Sequence, residues 1–275
     1  MKQRILTGLI LAVIAVSFIL LASGPLFAGL LAVVWLLAYW EWTRLIGMPL
    51  LVTRLLAVAA NALLIASLWS VRGESTWWVA IIAGLLWWLL SLLWMRHFSF
   101  AASPTRGNRL LKLAAGTLAL VPAWVALVEI HEHPQLGPLW TLFALVLVWA
   151  ADSFAYFAGS RFGRNKLAPR ISPGKTLEGV WGALAGSGLV AAIGGWWLGE
   201  RDWALALLIA LGLLCVVYSV IGDLFESLMK RQANVKDSGA LFPGHGGLLD
   251  RLDGVFAAMP VFAAGKTVID LFFPS

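Results

Sequence analysis

The sequence predicts an all-α protein that crosses a membrane about nine times. Of its 275 residues, 61% are hydrophobic and only 12% are charged, and the mean hydropathy is +0.87. The apolar residues form continuous runs of roughly 20 residues, the length of helix that crosses about 30 Å of hydrocarbon. Because these runs do not alternate with polar residues, they favour helices over the strands of a membrane barrel.

Each predicted span is a predominantly apolar run bounded by polar residues, glycine or proline. The first run follows Lys2 and Arg4 but leads almost at once into a second run, without a small-residue cleavage site. We therefore interpret it as a retained span and not as a signal peptide. The predicted spans are residues 4–22, 25–42, 51–70, 77–95, 110–130, 137–159, 177–198, 203–227 and 254–272.

The distribution of lysine and arginine indicates the orientation. With the N-terminus inside, the inner loops and adjoining helix ends hold all but three of the 20 Lys and Arg residues. The exceptions are Arg72 and Arg201 in outer loops and Lys266 within the last span. This bias follows the positive-inside rule and predicts an integral protein of a bacterial inner membrane. The formal charge of +6 is thus a topology signal, and we expect no nucleic-acid partner.

The chain divides into two parts by the placement of its charges. Residues 1–136 are expected to form N-terminal transmembrane helices with few charges. Residues 137–275 are expected to form a catalytic transmembrane region, because from there on the spans carry acids and the inner loops lengthen. Sixteen tryptophans are present, and those near span ends, such as Trp42, Trp77 and Trp94, are expected to anchor the protein at the membrane interface.

Acidic residues accompany three consecutive spans. Asp152 and Asp223 lie toward the inner ends of the sixth and eighth spans, and Glu178 begins the seventh. A carboxylate near the centre of a membrane helix costs about 2.5–3.5 kcal/mol on insertion scales. An acid in such a place is therefore a candidate for function.

A polar stripe is predicted at the end of the eighth span. Asp223, Glu226, Ser227 and Lys230 are spaced i, i+3, i+4 and i+7, which puts them on one face of a helix. The alternative is that this span ends earlier and leaves the four residues solvated.

The most polar segment is residues 227–253, SLMKRQANVKDSGALFPGHGGLLDRLD. Aspartate oxygens suit a hard cation such as Mg²⁺, which usually accompanies phosphates, and lysine and arginine neutralise phosphate charge. Glycines within residues 243–247 would let backbone N–H groups approach an anion. These residues together predict a polyphosphate site in a membrane-embedded enzyme. A P-loop is excluded, because Pro169 stands where that motif needs its first glycine.

This segment resembles the signature of the phosphatidate cytidylyltransferases, also called CDP-diacylglycerol synthases. More than a dozen positions match over residues 227–253, without a departure. DSFAY at residues 152–156 and KLAPRISPGKTLEG at residues 166–179 are also similar to this family, although many members carry lysine where this chain has Gly174. The motif-bearing resemblance covers residues 150–254.

The resemblance implies an enzyme of phospholipid biosynthesis that joins CTP to phosphatidate, giving CDP-diacylglycerol and pyrophosphate. By motif position, it implies that Asp223 and Asp250 ligate a metal. The implied catalytic residues are Ser227, Lys230, Arg231, Lys236, Asp237, His245 and Arg251. The implied substrate-binding residues are Asp152, Lys166, Arg170, Ser172, Lys175, Thr176, Glu178, Gly246, Gly247 and Asp253. For His245, a role as general acid or base and a structural role are both open.

The resemblance further implies Mg²⁺ as cofactor, with a monovalent cation such as K⁺ beside it, and a homodimer. The expected partners are CTP, phosphatidate and membrane lipids, with the site facing the cytoplasm. Two alternatives stay open: another CTP-dependent lipid enzyme, acting on a different lipid phosphate or alcohol, and an ion-coupled transporter. Transporters usually show repeated halves and midplane sites, and neither is evident in the sequence.

Overall fold

The structure, a computed structural model, describes the backbone of residues 2–239 and 246–273, and the side chains from residue 12 onward within these ranges. Nine α-helices and one small hairpin lie in the described residues. The helices are α1 (Lys2–Leu21), α2 (Gly24–Leu45), α3 (Leu51–Ser70), α4 (Ser75–Arg96), α5 (Arg106–His131), α6 (Gly137–Phe162), α7 (Leu177–Trp197), α8 (Asp202–Gln232) and α9 (Leu249–Phe272). The strands β1 (Lys166–Ala168) and β2 (Ser172–Thr176) pair antiparallel between α6 and α7.

Eight helices, α2 to α9, are long and apolar enough to cross a membrane. The predicted all-α, polytopic fold is therefore confirmed. The ninth span stays a prediction, because the described apolar stretch of α1, Ala12–Leu21, is shorter than a span. The division at residue 136 also stays a prediction, although it falls in the turn between α5 and α6.

The largest difference from the predicted boundaries concerns α8 and α9. Helix α8 continues to Gln232, and α9 already begins at Leu249. The expectation of an inner loop over residues 228–253 is therefore wrong at both ends. Lysine and arginine in the last turn of α8 and an aspartate in the first turn of α9 suit the helix dipoles, so polar residues extend these helices instead of ending them.

Several tryptophans pack inside the bundle instead of at its interface with the membrane. Trp42, Trp77 and Trp94 are buried, so interfacial anchoring is wrong for these three. The indole N–H of Trp42 donates to the carbonyl oxygen of Lys112 at 2.8 Å and joins α2 to α5. Such a partner satisfies the one polar atom of a buried indole. The exposed tryptophans include Trp196, Trp197 and Trp203.

Helices α8 and α9 pack closely where their polar residues lie. A Cβ atom at Gly222 would collide with the carbonyl oxygen of Asp253, and one at Gly254 would collide with the Ser219 hydroxyl. Small residues at helix contacts let membrane helices approach closely. This contact holds the polar end of α8 against the first turns of α9.

Candidate active site

The polar stripe lies on one continuous helix. Asp223, Glu226, Ser227 and Lys230 all belong to α8, which ends two residues after Lys230. Glu226 is buried and the other three are partly buried, so the alternative that leaves the four residues solvated is wrong. Charged side chains from α6, from the end of β2 and from the start of α9 join this stripe and form the active-site cluster, which comprises Asp152, Lys175, Asp223, Glu226, Ser227, Lys230, Asp250 and Asp253.

Lys230 joins α8 to α9 within the cluster. Its Nζ donates to Asp250 Oδ1 at 2.7 Å and lies 3.4 Å from Glu226 Oε2. The side chains of Lys230 and Glu226 are only 13% and 5% exposed. Burying charges costs several kcal/mol per ion unless close partners offset it. The two carboxylates therefore hold the lysine in one position.

Asp250 ties both described ends of the α8–α9 connection to the first turn of α9. Its Oδ2 accepts from Ser238 N and Oγ, both at 2.9 Å, and from Gly247 N at 2.8 Å. Gly246 has a positive φ of 83°, a conformation that glycine adopts without strain. Together with the bond from Lys230, these contacts engage both oxygens of the Asp250 carboxylate.

The other half of the cluster surrounds Asp223. Lys175 forms an ion pair with Asp223, and Ser227 Oγ donates to Asp223 Oδ1 at 3.3 Å. Asp152 from α6 and Asp253 from α9 are near enough to interact electrostatically with Asp223. Three acids from three helices thus lie around one lysine, and their excess negative charge favours a bound cation.

The hairpin brings Lys175 to Asp223. Thr176 Oγ1 accepts from Gly179 N at 3.1 Å and caps the start of α7 directly after the strand. Arg231 Nε donates to the carbonyl oxygen of Ile171 at 3.2 Å, so the end of α8 holds the turn between β1 and β2. The terminal nitrogens of Arg231 are not used by this bond.

Glu178 has a structural contact in this structure. Its carboxylate accepts from the backbone N–H groups of Arg164 and Asn165 at 3.1–3.2 Å, and from the Asn165 side chain at 2.7 Å. These bonds fasten the chain before β1 to the first turn of α7. The substrate-binding role inferred for Glu178 remains untested beside this role in positioning the hairpin.

The remaining predicted site residues lie around the cluster. Ser172 is half-buried in β2, and His245 lies outside the described residues. Arg170 is stacked with its guanidinium carbon 5.3 Å from the Phe98 ring centroid, and Arg251 is near enough to Asp152 for an electrostatic interaction. The exposed members are Lys166, Arg170, Lys236, Asp237 and Arg251.

Glu41 of α2 is a site residue that the sequence reasoning missed. It is 9% exposed, and its Oε2 accepts from Leu249 N at 3.0 Å and from Ser238 Oγ at 3.3 Å. A Cβ atom at Gly239 or Gly247 would collide with its carboxylate, so the glycines let this connection close around Glu41. The sequence does contain a feature that could have identified Glu41, because it is an acid inside the predicted second span, as Asp152 is inside the sixth.

A family model described as the cytidylyltransferase family matches residues 2–268 of this chain. The chain belongs to the cytidylyltransferase family. Three curated relatives carry the name phosphatidate cytidylyltransferase, which confirms the resemblance drawn from the motifs. The protein of Pseudomonas aeruginosa is 42% identical over 264 residues, with 96% of each chain covered. That of Haemophilus influenzae is 34% identical over 282 residues, covering 96% of this chain and 97% of its own. That of Bacillus subtilis is 32% identical over 270 residues, covering 94% and 95%.

In this member of the cytidylyltransferase family, Asp223 fits a cation better than Asp250 does. Asp250 accepts four hydrogen bonds from protein donors, whereas Asp223 contacts only Lys175 and Ser227 among the donors described and faces two further acids, Asp152 and Asp253. Within the part of the chain that the structure describes, no three His, Cys, Asp or Glu side chains form a ready-made metal site. Mg²⁺ often takes one or two carboxylates and completes its shell with phosphate oxygens and water. Asp223 therefore fits a cation that arrives with a nucleotide.

Proposed function

We propose that this chain transfers a cytidylyl group from CTP to phosphatidate, giving CDP-diacylglycerol and pyrophosphate. The observation that carries the proposal is the active-site cluster, in which two lysines meet acids from three helices at one end of an apolar bundle. Such a cluster can hold phosphate groups beside a lipid. The names of relatives that are 32–42% identical over nearly the whole chain support the same reaction.

The reaction is a displacement at phosphorus. A phosphate oxygen of phosphatidate forms a bond to the α-phosphorus of CTP, and the bond from that phosphorus to the oxygen bridging to the β-phosphate breaks. Pyrophosphate leaves with the electron pair. Because the attacking oxygen is already an anion, positioning and charge neutralisation supply most of the catalysis.

The two halves of the active-site cluster, one around Lys230 and one around Asp223, have different roles in this reaction. Lys230, held by Glu226 and Asp250, presents a fixed positive charge to a substrate phosphate, and the terminal nitrogens of Arg231, which its bond to Ile171 does not use, add a second donor nearby. Asp223, oriented by Ser227, would hold Mg²⁺, which when bound neutralises phosphate charge; K⁺ is the proposed monovalent ion. Asp250 then acts mainly by positioning Lys230.

We place the enzyme in a bacterial inner membrane as a homodimer, with its active-site cluster facing the cytoplasm. The placement of lysine and arginine supports this orientation, and the dimer rests on the family resemblance. Reporter fusions after residues 165 and 275 should read inside and outside. An inside reading at residue 275, with an inside N-terminus, would rule out an odd number of spans.

The direct test follows the phosphorus atoms. Purified protein in detergent receives phosphatidate, Mg²⁺ and CTP labelled either at the α- or at the γ-phosphate. The α-label should appear in a lipid product and the γ-label in pyrophosphate, in equal amounts, and chelation of Mg²⁺ should stop both. A lipid product that forms from diacylglycerol instead of phosphatidate would assign the chain to a different CTP-dependent lipid enzyme.

A further inference from the structure

A basic pocket lies between the N-terminal helices and the α8–α9 connection. It is a cavity of about 210 Å³ formed by the end of α2, the α4–α5 connection, the start of α5 and the residues after α8. Its cationic lining residues are Arg44, Arg109 and Lys112, and the one acid in its described lining is Asp237. We call this cavity the basic pocket.

The described lining of the basic pocket has three cations and one acid. Lys112 is only 7% exposed, and its ammonium group makes no ion pair or hydrogen bond with a residue that the structure describes. Arg109 Nε is buried without a hydrogen-bond partner in the same part of the chain. A buried donor without a hydrogen-bond partner is unfavourable. A bound anion would supply the missing counter-charge.

The walls of the basic pocket are held in place by hydrogen bonds. Gln232 Nε2 donates to the carbonyl oxygens of Phe98 and Phe100 at 2.7 and 3.1 Å, which ties the α4–α5 connection to the end of α8. On the opposite wall, Trp42 Nε1 donates to the carbonyl oxygen of Lys112. The pocket is therefore a preformed feature of the fold, not a gap between loose side chains.

The basic pocket adjoins the active-site cluster through Ser238. This residue lines the pocket and also donates two hydrogen bonds to Asp250, the partner of Lys230. The pocket is smaller than the roughly 300–1,000 Å³ of sites that enclose a drug-sized molecule, so it fits only part of a nucleotide. Its described lining contains no aromatic residue on which a base could stack. These features favour the phosphate end of the nucleotide.

We infer that the basic pocket binds the β- and γ-phosphates of CTP, the group that leaves as pyrophosphate. This inference rests on the proposed function and adds a phosphate subsite supplied by α2 and α5. Cations fixed at this place would neutralise the negative charge that develops on the leaving pyrophosphate. The N-terminal helices would thus take part in substrate binding instead of only anchoring the protein.

The test compares Lys112→Met and Arg109→Gln with Arg106→Gln, which removes an exposed cation from the same helix outside the pocket. We expect the first two variants to raise the KM for CTP at least tenfold and to weaken inhibition by added pyrophosphate by a similar factor. The KM for phosphatidate should not change. Lys112→Arg, which keeps the charge, should restore most of the affinity for CTP, and Arg106→Gln should behave as wild type.

Three results would overturn the inference. A rise in the KM for phosphatidate alone would assign the pocket to the lipid phosphate. Unchanged kinetics in both pocket variants, or equal losses in Arg106→Gln, would show that these cations serve membrane topology. If Lys112→Met does not fold, the test uses Arg109→Gln and a calorimetric titration of the wild-type protein with magnesium pyrophosphate. No binding of magnesium pyrophosphate would refute the proposed phosphate subsite. A wild type that binds pyrophosphate but makes no CDP-diacylglycerol would instead refute the proposed function.

Discussion

Helices α8 and α9 carry charged residues at both ends of the bundle, and each end buries one lysine between two carboxylates. At the active-site end, Lys230 contacts Glu226 and Asp250. At the opposite end, Lys266 contacts Glu200 at 3.3 Å and forms a second ion pair with Asp270. Similar local chemistry thus occurs twice on the same helix pair, in very different surroundings.

The opposite end pairs Lys266 with two acids beside a cavity of about 360 Å³, which Lys266 helps to line. The Lys266 side chain is only 5% exposed, and its Nζ lies 4.2 Å from the Trp140 ring centroid. Asp270 Oδ2 also lies 3.0 Å from His133 Nε2. Lys266, Glu200 and Asp270 thus each have an oppositely charged partner within the protein. The arrangement is suited to holding the ends of α8, α9 and the α5–α6 turn together.

The active-site end has acids and cations in two separate groups, beside the ion pairs of Lys175 and Lys230. Acids lie around Asp223, whereas three cations and one acid are in the described lining of the basic pocket next to Ser238. A separation of this kind is costly unless a cation and an anion bind, and a magnesium nucleotide supplies both. A buried ion pair therefore does not by itself identify an active site. An acidic cluster next to a cationic pocket, as at this end, is the feature that fits a magnesium nucleotide.

The largest expected effect separates the two ends by activity. Asp223→Asn should lower the rate of CDP-diacylglycerol formation by about 100-fold or more, because a neutral amide is a poor Mg²⁺ ligand and one lost charge contact in a reacting site costs about 2.7–4 kcal/mol. Asp270→Asn should keep a near-normal rate per folded molecule. Product formation at saturating Mg²⁺ measures both, and equal rates in the two variants would remove Asp223 from the site.

The second effect separates the ends by stability. Lys266→Met leaves the buried Glu200 and the partly buried Asp270 without their cation, which should lower the free energy of unfolding by about 3 kcal/mol. Denaturant unfolding in detergent measures the change, with Arg106→Gln as a control because its side chain is exposed. A Lys266→Met protein as stable as wild type would contradict the structural role of the opposite end.

A smaller effect tests the contact between α8 and α9 at the active-site end. Gly222→Ala inserts a methyl group against the carbonyl oxygen of Asp253 and should destabilise the protein by about 1–3 kcal/mol through overpacking. Gly29→Ala is the matched control, since a Cβ atom there meets nothing within 4 Å. Equal stability of the two variants would indicate that α8 and α9 do not touch at Gly222.

The smallest effect concerns the orientation of Asp223. Ser227→Ala removes a hydrogen bond to a carboxylate, worth about 1.5–3 kcal/mol at most, and should slow turnover about tenfold. Ser153→Ala is a suitable control, because that hydroxyl donates only to a carbonyl oxygen of its own helix. If both variants turn over at the wild-type rate, Ser227 does not orient Asp223.

Much of the fold and half of the site could be predicted from the sequence. Apolar length alone identifies the spans, and the i, i+3, i+4, i+7 spacing on α8 already implies the shared face that the structure shows. The pairing of Lys175 with Asp223 could not be predicted, because it depends on a hairpin whose residues show no clear strand pattern.

Contacts across the two parts of the chain were also beyond the sequence. Glu41 bonds to Leu249 over more than two hundred residues, and nothing in the local pattern around either residue specifies the other. The cations of the basic pocket could not be predicted as a group either. In the sequence alone, the positive-inside rule already accounts for their positions. Only the packing of α2 and α5 against the α8–α9 connection brings these groups together.

The most direct test of the account measures one turnover in the two lysine variants. Lys230→Met and Lys266→Met are compared for pyrophosphate released from CTP and phosphatidate, each corrected for the amount of folded protein. We expect Lys230→Met to lose nearly all pyrophosphate release. Lys266→Met, though less stable, should release pyrophosphate at the wild-type rate. Normal release by folded Lys230→Met would contradict the assignment of the active site to this end of the bundle.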